Sequence, residues 1–319
     1  MFKYVLKRIG LMFVTFFIIM TICFVLIKLL QPETPMMGEQ AKVEAARREA
    51  LGYNKPIMVQ YGIYLKNVIT KFDWGVSWEI DYLEPVGKVI SSRIPPTVMI
   101  NIFSILVSIP IGIAFGIYAA LKKNKWQDHL ISTLVMVFVS VPSYVYAFLV
   151  QYILGHKLQW FPMVLSSLYD ANNNWLSPVM LKSMVLPVMA LSFGTIAGLA
   201  RFTRAELTEA LTSEYMLLAR TKGLTKGQAT LRHAMKNAMV PILPSIISMF
   251  IGIIGGSMII ESIFAVNGIG PLYLKAITTL DYDVFIATGM FYTIIGLSGS
   301  ILIDLSYGFL DPRIRMGAR

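Results

Sequence analysis

One cysteine, three histidines and only 14% charged residues among 319 leave this chain short of the usual materials of catalysis and metal binding. Cys23 stands alone inside an apolar run, so it offers neither a disulfide nor a thiolate metal site and reads as a small apolar residue. His129, His156 and His233 are far apart, with no second ligand at metal spacing, which argues against a bound metal. There is no G-x-x-x-x-G-K-[ST] phosphate loop, no G-x-S-x-G elbow, no H-E-x-x-H and no paired-carboxylate motif. The chain therefore reads as non-enzymatic and without a cofactor of its own, and any energy it uses must come from another subunit.

What is abundant is apolar surface. The residues are 56% hydrophobic and the mean hydropathy is +0.65, far more apolar than a soluble domain of this length needs. Runs of about 20 apolar residues predict six membrane helices, near Ile9–Leu30, Thr97–Leu121, Leu130–Gly155, Ser183–Ala200, Met239–Ile260 and Val284–Ser306. The fold class is thus an all-α membrane protein. Pro110, Pro142 and Pro187 are expected to kink or break these spans, as in a bundle that opens and closes. Gly112 and Gly116, Gly194 and Gly198, and Gly252 and Gly256 each sit four apart, the spacing that allows close helix contact in lipid.

Orientation follows from the basic residues, which are retained on the cytoplasmic side during insertion. Lys3, Lys7 and Arg8 precede the first span, Lys122, Lys123 and Lys125 follow the second, and seven basic residues from Arg201 to Lys236 follow the fourth. Arg313, Arg315 and Arg319 follow the sixth, so both termini are expected in the cytoplasm. The net charge of +10 is then a matter of topology, and nucleic acid is not needed to explain it. The N-terminal apolar run is too long for a signal peptide and lacks a small-x-small cleavage site, so it is expected to remain as the first helix. The expected divisions are a first transmembrane helix over 1–30, an exterior subdomain over 31–96, a five-helix core over 97–312 and a cytoplasmic tail over 313–319.

Gln31–Pro96 balances eight basic against eight acidic residues, as an exported segment would. It predicts a charged helix closed by Gly52, then a second after Pro56 with Ile57, Tyr61, Tyr64, Leu65 and Val68 at helical spacing. This small helical subdomain is either a cap on the helix ends or a landing surface for an exterior partner.

The segment between Arg201 and Pro241 is too basic to lie in hydrocarbon. Ser213 is placed to cap a first helix, Gly223 to end it in a left-handed conformation, and Thr225-x-x-Gln228 to open a second helix to about Asn237 as a capping box. Tyr215, Leu218 and Ala219 form an apolar stripe, with Arg220, Lys222, Lys226, Arg232 and Lys236 around it. Such a ridge at a fixed bend suits a cleft on another protein; a basic loop lying on anionic headgroups is the alternative.

These residues also carry a resemblance. Ala219-Arg220-Thr221-Lys222-Gly223-Leu224, then Arg232-His233-Ala234 and Asn237-Ala238, resembles the cytoplasmic EAA loop of ABC-importer permeases, in its peptide and nickel version. Lys7-Arg8, Trp74-Gly75-Val76-Ser77, Pro85-Val86, Ser140-Val141-Pro142-Ser143, Gly268-Ile269-Gly270 and Asp311-Pro312-Arg313 look like that family in order, over nearly the whole chain. Leu217 and Leu218 depart from the Glu and Ala of the general pattern, and Phe72-Asp73-Trp74-Gly75 replaces a common Gly-Asp-Leu-Gly run. The resemblance, to the first permease of an oligopeptide or dipeptide importer, implies a second homologous permease, two cytoplasmic ATPases that bind ATP and Mg, an exterior binding protein, and peptide as substrate in a prokaryotic cell membrane. It implies a coupling loop at about 201–238, with Tyr215, Leu218, Ala219, Arg220, Gly223 and Leu224 as the ATPase contact. Nickel or another small solute is the alternative cargo. An ion-coupled carrier is the alternative of another class, although neither mid-span acids nor an inverted repeat is evident. Glu261 stands close to hydrocarbon, where a carboxylate must be paired or wet. It either lines an exterior gate or caps backbone amides of the Phe264–Gly270 turn.

Overall fold

The computed structural model describes residues 2–30 and 54–310, with positions 42, 45, 46, 49 and 52 between them. The helix expected before Gly52 lies mostly outside the described residues, as do the Asp311-Pro312-Arg313 motif and the tail. The chain forms two compact units, Met1–Ile94 with Leu272–Ile301, and Pro95–Pro271 with Leu302–Arg319.

In the first unit, α1 (Phe2–Leu30) is apolar between Ile9 and Ile27 and has no internal proline. Met20, Phe24 and Ile27 are buried at near-helical spacing, while Leu11, Phe13, Val14 and Phe17 are exposed, as lipid-facing side chains are in a membrane helix. The second helix, α2 (Ile57–Lys71), starts after Pro56 and ends where Phe72 turns left-handed. Its Tyr61 and Tyr64 rings lie 5.3 and 5.0 Å from the Phe24 ring, and the Tyr61 hydroxyl shares a 2.5 Å hydrogen bond with Thr21. Next come α3 (Val86–Leu121) and, at the far end of the chain, a long helix (Tyr282–Leu310). Val86, Val89, Val284 and Met290 close this core with Trp74.

The turn between α2 and α3 is organised by one carboxylate. Asp281 Oδ2 accepts from Ser77 Oγ at 2.6 Å and from the backbone N–H groups of Trp78, Glu79 and Ile80 at 3.1, 3.1 and 3.2 Å. Arg93 donates to Asp81 at 2.8 Å across the same turn.

In the second unit, α4 (Trp126–Ser140) and α5 (Ser143–Val150) meet at a 100° bend, with α5 continued by a π turn, Gln151–Lys157. The span expected over Leu130–Gly155 is therefore a broken pair, with the break at Pro142. Pro142 removes the amide that would carry the helix on, and Val141 before it adopts the extended conformation that a following proline favours. Pro110 and Pro187, by contrast, lie inside unbroken helices, α3 and α6 (Pro178–Thr212). The shortest expected span, Ser183–Ala200, is one stretch of this 35-residue α6, whose N-cap Ser177 accepts from Met180 N. Among the described residues, five helices are long and apolar enough to cross a membrane, or six if the bent pair is one span.

Of the three glycine pairs, the first makes the close approach. A Cβ on Gly116 would lie 2.5 Å from Thr203 Cβ and 2.7 Å from the Ala200 carbonyl, and one on Gly112 3.1 Å from the Ile196 carbonyl, whereas Gly198 and Gly252 have open space. The same α6 is tied to α4 by a pair invisible in the sequence. Buried Asp128 accepts from Arg204 Nε at 2.5 Å and Nη2 at 2.8 Å, and from Asn124 N–H at 2.9 Å.

Gly116→Val should lower stability by ~1–3 kcal/mol through overpacking against the α6 backbone, while Gly198→Ala should be near neutral. Thermal melts of the two variants in detergent check this; equal melting temperatures would remove the close-packing argument.

Candidate functional site

The basic segment folds as two short helices at a bend. Following Thr212, the last residue of α6, come α7 (Glu214–Thr221) and then α8 (Lys226–Ala229). Gly223 joins them at φ +87°, a conformation that a side chain would strain. Thr225 Oγ1 accepts from Gln228 N and Gln228 Oε1 accepts from Thr225 N, so the capping box is complete. Ser213 does not cap with its side chain: its Oγ donates to the Ala210 carbonyl at 2.6 Å. Nor does the second helix stop near Asn237. It continues through a π turn, Thr230–Ala234, into α9 (Met235–Gly252), so the second arm of the bend and the apolar helix that follows form one nearly continuous rod.

Small side chains hold this bend tightly to the unit. Ala219, Ala229, Ala234 and Ala238 are buried with Leu207, Met216 and Ala120. Ala219 thus faces the core, and the outward apolar surface consists of Tyr215, Leu217 and Leu218, with Leu231 exposed beside the second helix. Leu217 and Leu231 are 69% and 72% exposed and had no place in the stripe read from spacing. The signal was the pair Leu217-Leu218 standing where the general pattern has Glu and Ala. Arg220, Lys222, Lys226, Arg232 and Lys236 are all exposed around them. Large apolar residues left exposed inside a basic rim are compatible with an interaction surface.

Glu261 lies elsewhere in the same unit, on α10 (Met258–Ile263), and is fully buried. Its Oε1 accepts from Ser257 N–H at 3.1 Å. Its Oε2 accepts from Thr97 Oγ1 and from Gly270 N–H, both at 3.2 Å. Gly256 and Gly268 abut the carboxylate so closely that a Cβ on either would collide with it. The geometry is that of a carboxylate capping amides, although the amides are those of Ser257 and Gly270, and none of its oxygens lines an open passage. Burial raises its pKa from 4.5 to about 7, against the three hydrogen bonds that favour the charged form. Among the described residues no group of histidines, cysteines and carboxylates could hold a metal.

An acid with a raised folded pKa binds more protons folded than unfolded. Its stabilising contribution is complete below pH 4.5, falls as pH rises, and is gone above about 7. The span is worth roughly 3 kcal/mol, so wild-type melting temperature should drop between pH 5 and 7 and Glu261→Gln should flatten that slope. Parallel slopes for the two proteins would show that Glu261 is not the titrating group.

Comparison with known proteins follows the same lines. A family model described as the binding-protein-dependent transport system inner membrane component matches residues 112–316, and its N-terminal companion matches residues 1–101. The chain is 33% identical to the dipeptide transport system permease protein DppB of Bacillus subtilis, over 98% of each chain. It is 34% identical to the oligopeptide transport system permease protein OppB of Salmonella typhimurium, over 99% of this chain and 100% of that one. A crystal structure of an amino acid ABC transporter with histidines shares the fold, with a TM-score of 0.50 and 19% identity over 69% of this chain and 94% of that one.

Proposed function

Because the chain belongs to the family of binding-protein-dependent transport system inner membrane components, we propose that its buried and exposed features serve one task, moving peptides across a bacterial inner membrane. It is a multi-pass, non-catalytic permease subunit of a peptide ABC importer. The observation that carries this is the match to dipeptide and oligopeptide permeases over essentially the whole chain at 33–34% identity.

Within that assignment, the chain pairs with a second homologous permease to enclose the passage, and two ATPases holding ATP and Mg hydrolyse nucleotide below it. An exterior binding protein delivers peptide, and both termini lie in the cytoplasm. The exposed Tyr215, Leu217 and Leu218, with Arg220 at the rim, enter a cleft on one ATPase, while Ala219, Gly223 and Leu224 hold the bend in shape. Support for this comes from the exposure of three large apolar side chains on a segment whose other surface is basic. Because α8 runs on into α9, a displacement of the docked bend passes to a membrane helix without an intervening loop. That is the mechanical requirement for alternating access driven from the cytoplasm. Glu261 keeps the turn from Gly256 to Gly270 closed rather than meeting substrate.

Purifying the tagged chain from its native membrane in mild detergent tests the assembly: a second permease and two phosphate-loop ATPases in stoichiometric amount are expected, and a lone stable chain would overturn the coupling scheme. Leu218→Asp should cut ATPase retention and labelled-peptide uptake about tenfold, as loss of a central apolar anchor does, without loss of the permease from the membrane. Gly223→Val should impair uptake at unchanged membrane abundance; normal uptake in both variants would place the contact elsewhere.

A further inference from the structure

One apolar surface of the second unit is concave. Between α3, α4 and α6 lies a groove of about 490 Å³, walled by Phe115, Leu130, Leu134, Phe138 and Phe193. Its α4 wall runs from Trp126 to Phe138, about 18 Å at 1.5 Å per residue, against ~30 Å for a full hydrocarbon core. Just beyond, the chain bends by 100° between Ser140 and Ser143 and the wall ends. A transmembrane helix of a partner would overrun a groove of this length. An acyl chain, reaching from a headgroup to the bilayer centre, matches it.

The other end of the groove is built for a headgroup. Tyr118 and Trp126 line it there, amphipathic rings of the kind that settle at the membrane–water boundary. The connection from α3 to α4 sets Lys122, Lys123 and Lys125 beside them, and Arg201 is exposed one turn beyond the groove-lining Ala197. Asp128, the one carboxylate between residues 122 and 130, does not neutralise these cations, because Arg204 and Asn124 N–H hold it on the buried side. Gln127 lines the same end.

We propose that this groove binds one anionic phospholipid, with an acyl chain along the α4 wall and its phosphate among Lys122, Lys123 and Lys125. Three cations around one phosphate make the site selective for anionic over zwitterionic headgroups. In the proposed topology this lipid belongs to the cytoplasmic leaflet, and its binding does not depend on what the permease carries. Held between α4 and α6, it braces the wall beside the Asp128–Arg204 pair.

The test uses the intact complex, delipidated in detergent and given phosphatidylglycerol or phosphatidylcholine of matched chains, with bound lipid counted by native mass spectrometry. Phosphatidylglycerol is expected to be retained at one molecule per chain, about tenfold over phosphatidylcholine, and K122Q/K123Q/K125Q should erase that preference while leaving the complex assembled. A phosphatidylglycerol carrying a mid-chain diazirine should label the Leu130–Phe138 stretch, and Leu134→Trp should abolish the labelling. Equal retention of the two lipids, or unchanged retention in the lysine variant, would overturn the proposal. So would cross-links showing a helix of another subunit lying in the groove.

Discussion

Hydrocarbon offers no hydrogen-bond partners to a backbone, and that constraint organises most of what this chain does with its polar atoms. The long helices satisfy their amides internally. At three places where the described backbone departs from a regular helix, a side chain supplies what is missing. At the 257–270 turn it is Glu261, accepting from Ser257 N–H, Gly270 N–H and Thr97 Oγ1. At the turn between α2 and α3 it is Asp281, whose single Oδ2 collects three backbone amides and the Ser77 hydroxyl. Beyond Pro142 the chain continues by a short α-helix and a π turn, and Gln151 Nε2 donates to the Met163 and Ile263 carbonyls at 2.9 Å each.

The few buried charges are therefore fastenings rather than chemistry. Each is fixed by several partners at once, which is what makes a buried carboxylate tolerable. Asp128 and Arg204 meet through two hydrogen bonds between α4 and α6, and the Gly116 approach to Thr203 packs α3 against the same stretch of α6. The basic connection from α3 to α4, the apolar groove and the end of α6 that leads into the bend all adjoin this one fastened region. The bend at Gly223 is packed through an alanine-lined core that permits close backbone contact and leaves Tyr215, Leu217 and Leu218 outside.

A permease needs rigid levers joined at few places, and the chain supplies them by contrast in packing. Helices such as α6 are continuous over 35 residues despite an internal proline. Breaks with a single residue or a short turn at their centre fall at Val141–Pro142, at Gly223 and at the glycine-bounded turn that Glu261 closes. Motion imposed on the bend at Gly223 has a continuous helical path into the membrane, which a flexible linker would not provide.

The sequence by itself determined the membrane class, the apolar spans, the capping box at Thr225 and Gln228 and the left-handed Gly223. All of these rest on local chemistry: hydrophobic run length, charge retention and the conformational preferences of single residues. Tertiary structure alone decided that Pro142 breaks its helix while Pro110 and Pro187 do not, that of the three glycine pairs the first approaches the backbone of another helix, and that Ala219 faces inward while Leu217 faces out. It alone found Asp128 for Arg204, 76 residues away, and Asp281 for Ser77, 204 residues away. Proline tolerance, close packing and buried pairing depend on which groups face each other across helices. Spacing within one segment carries no record of that.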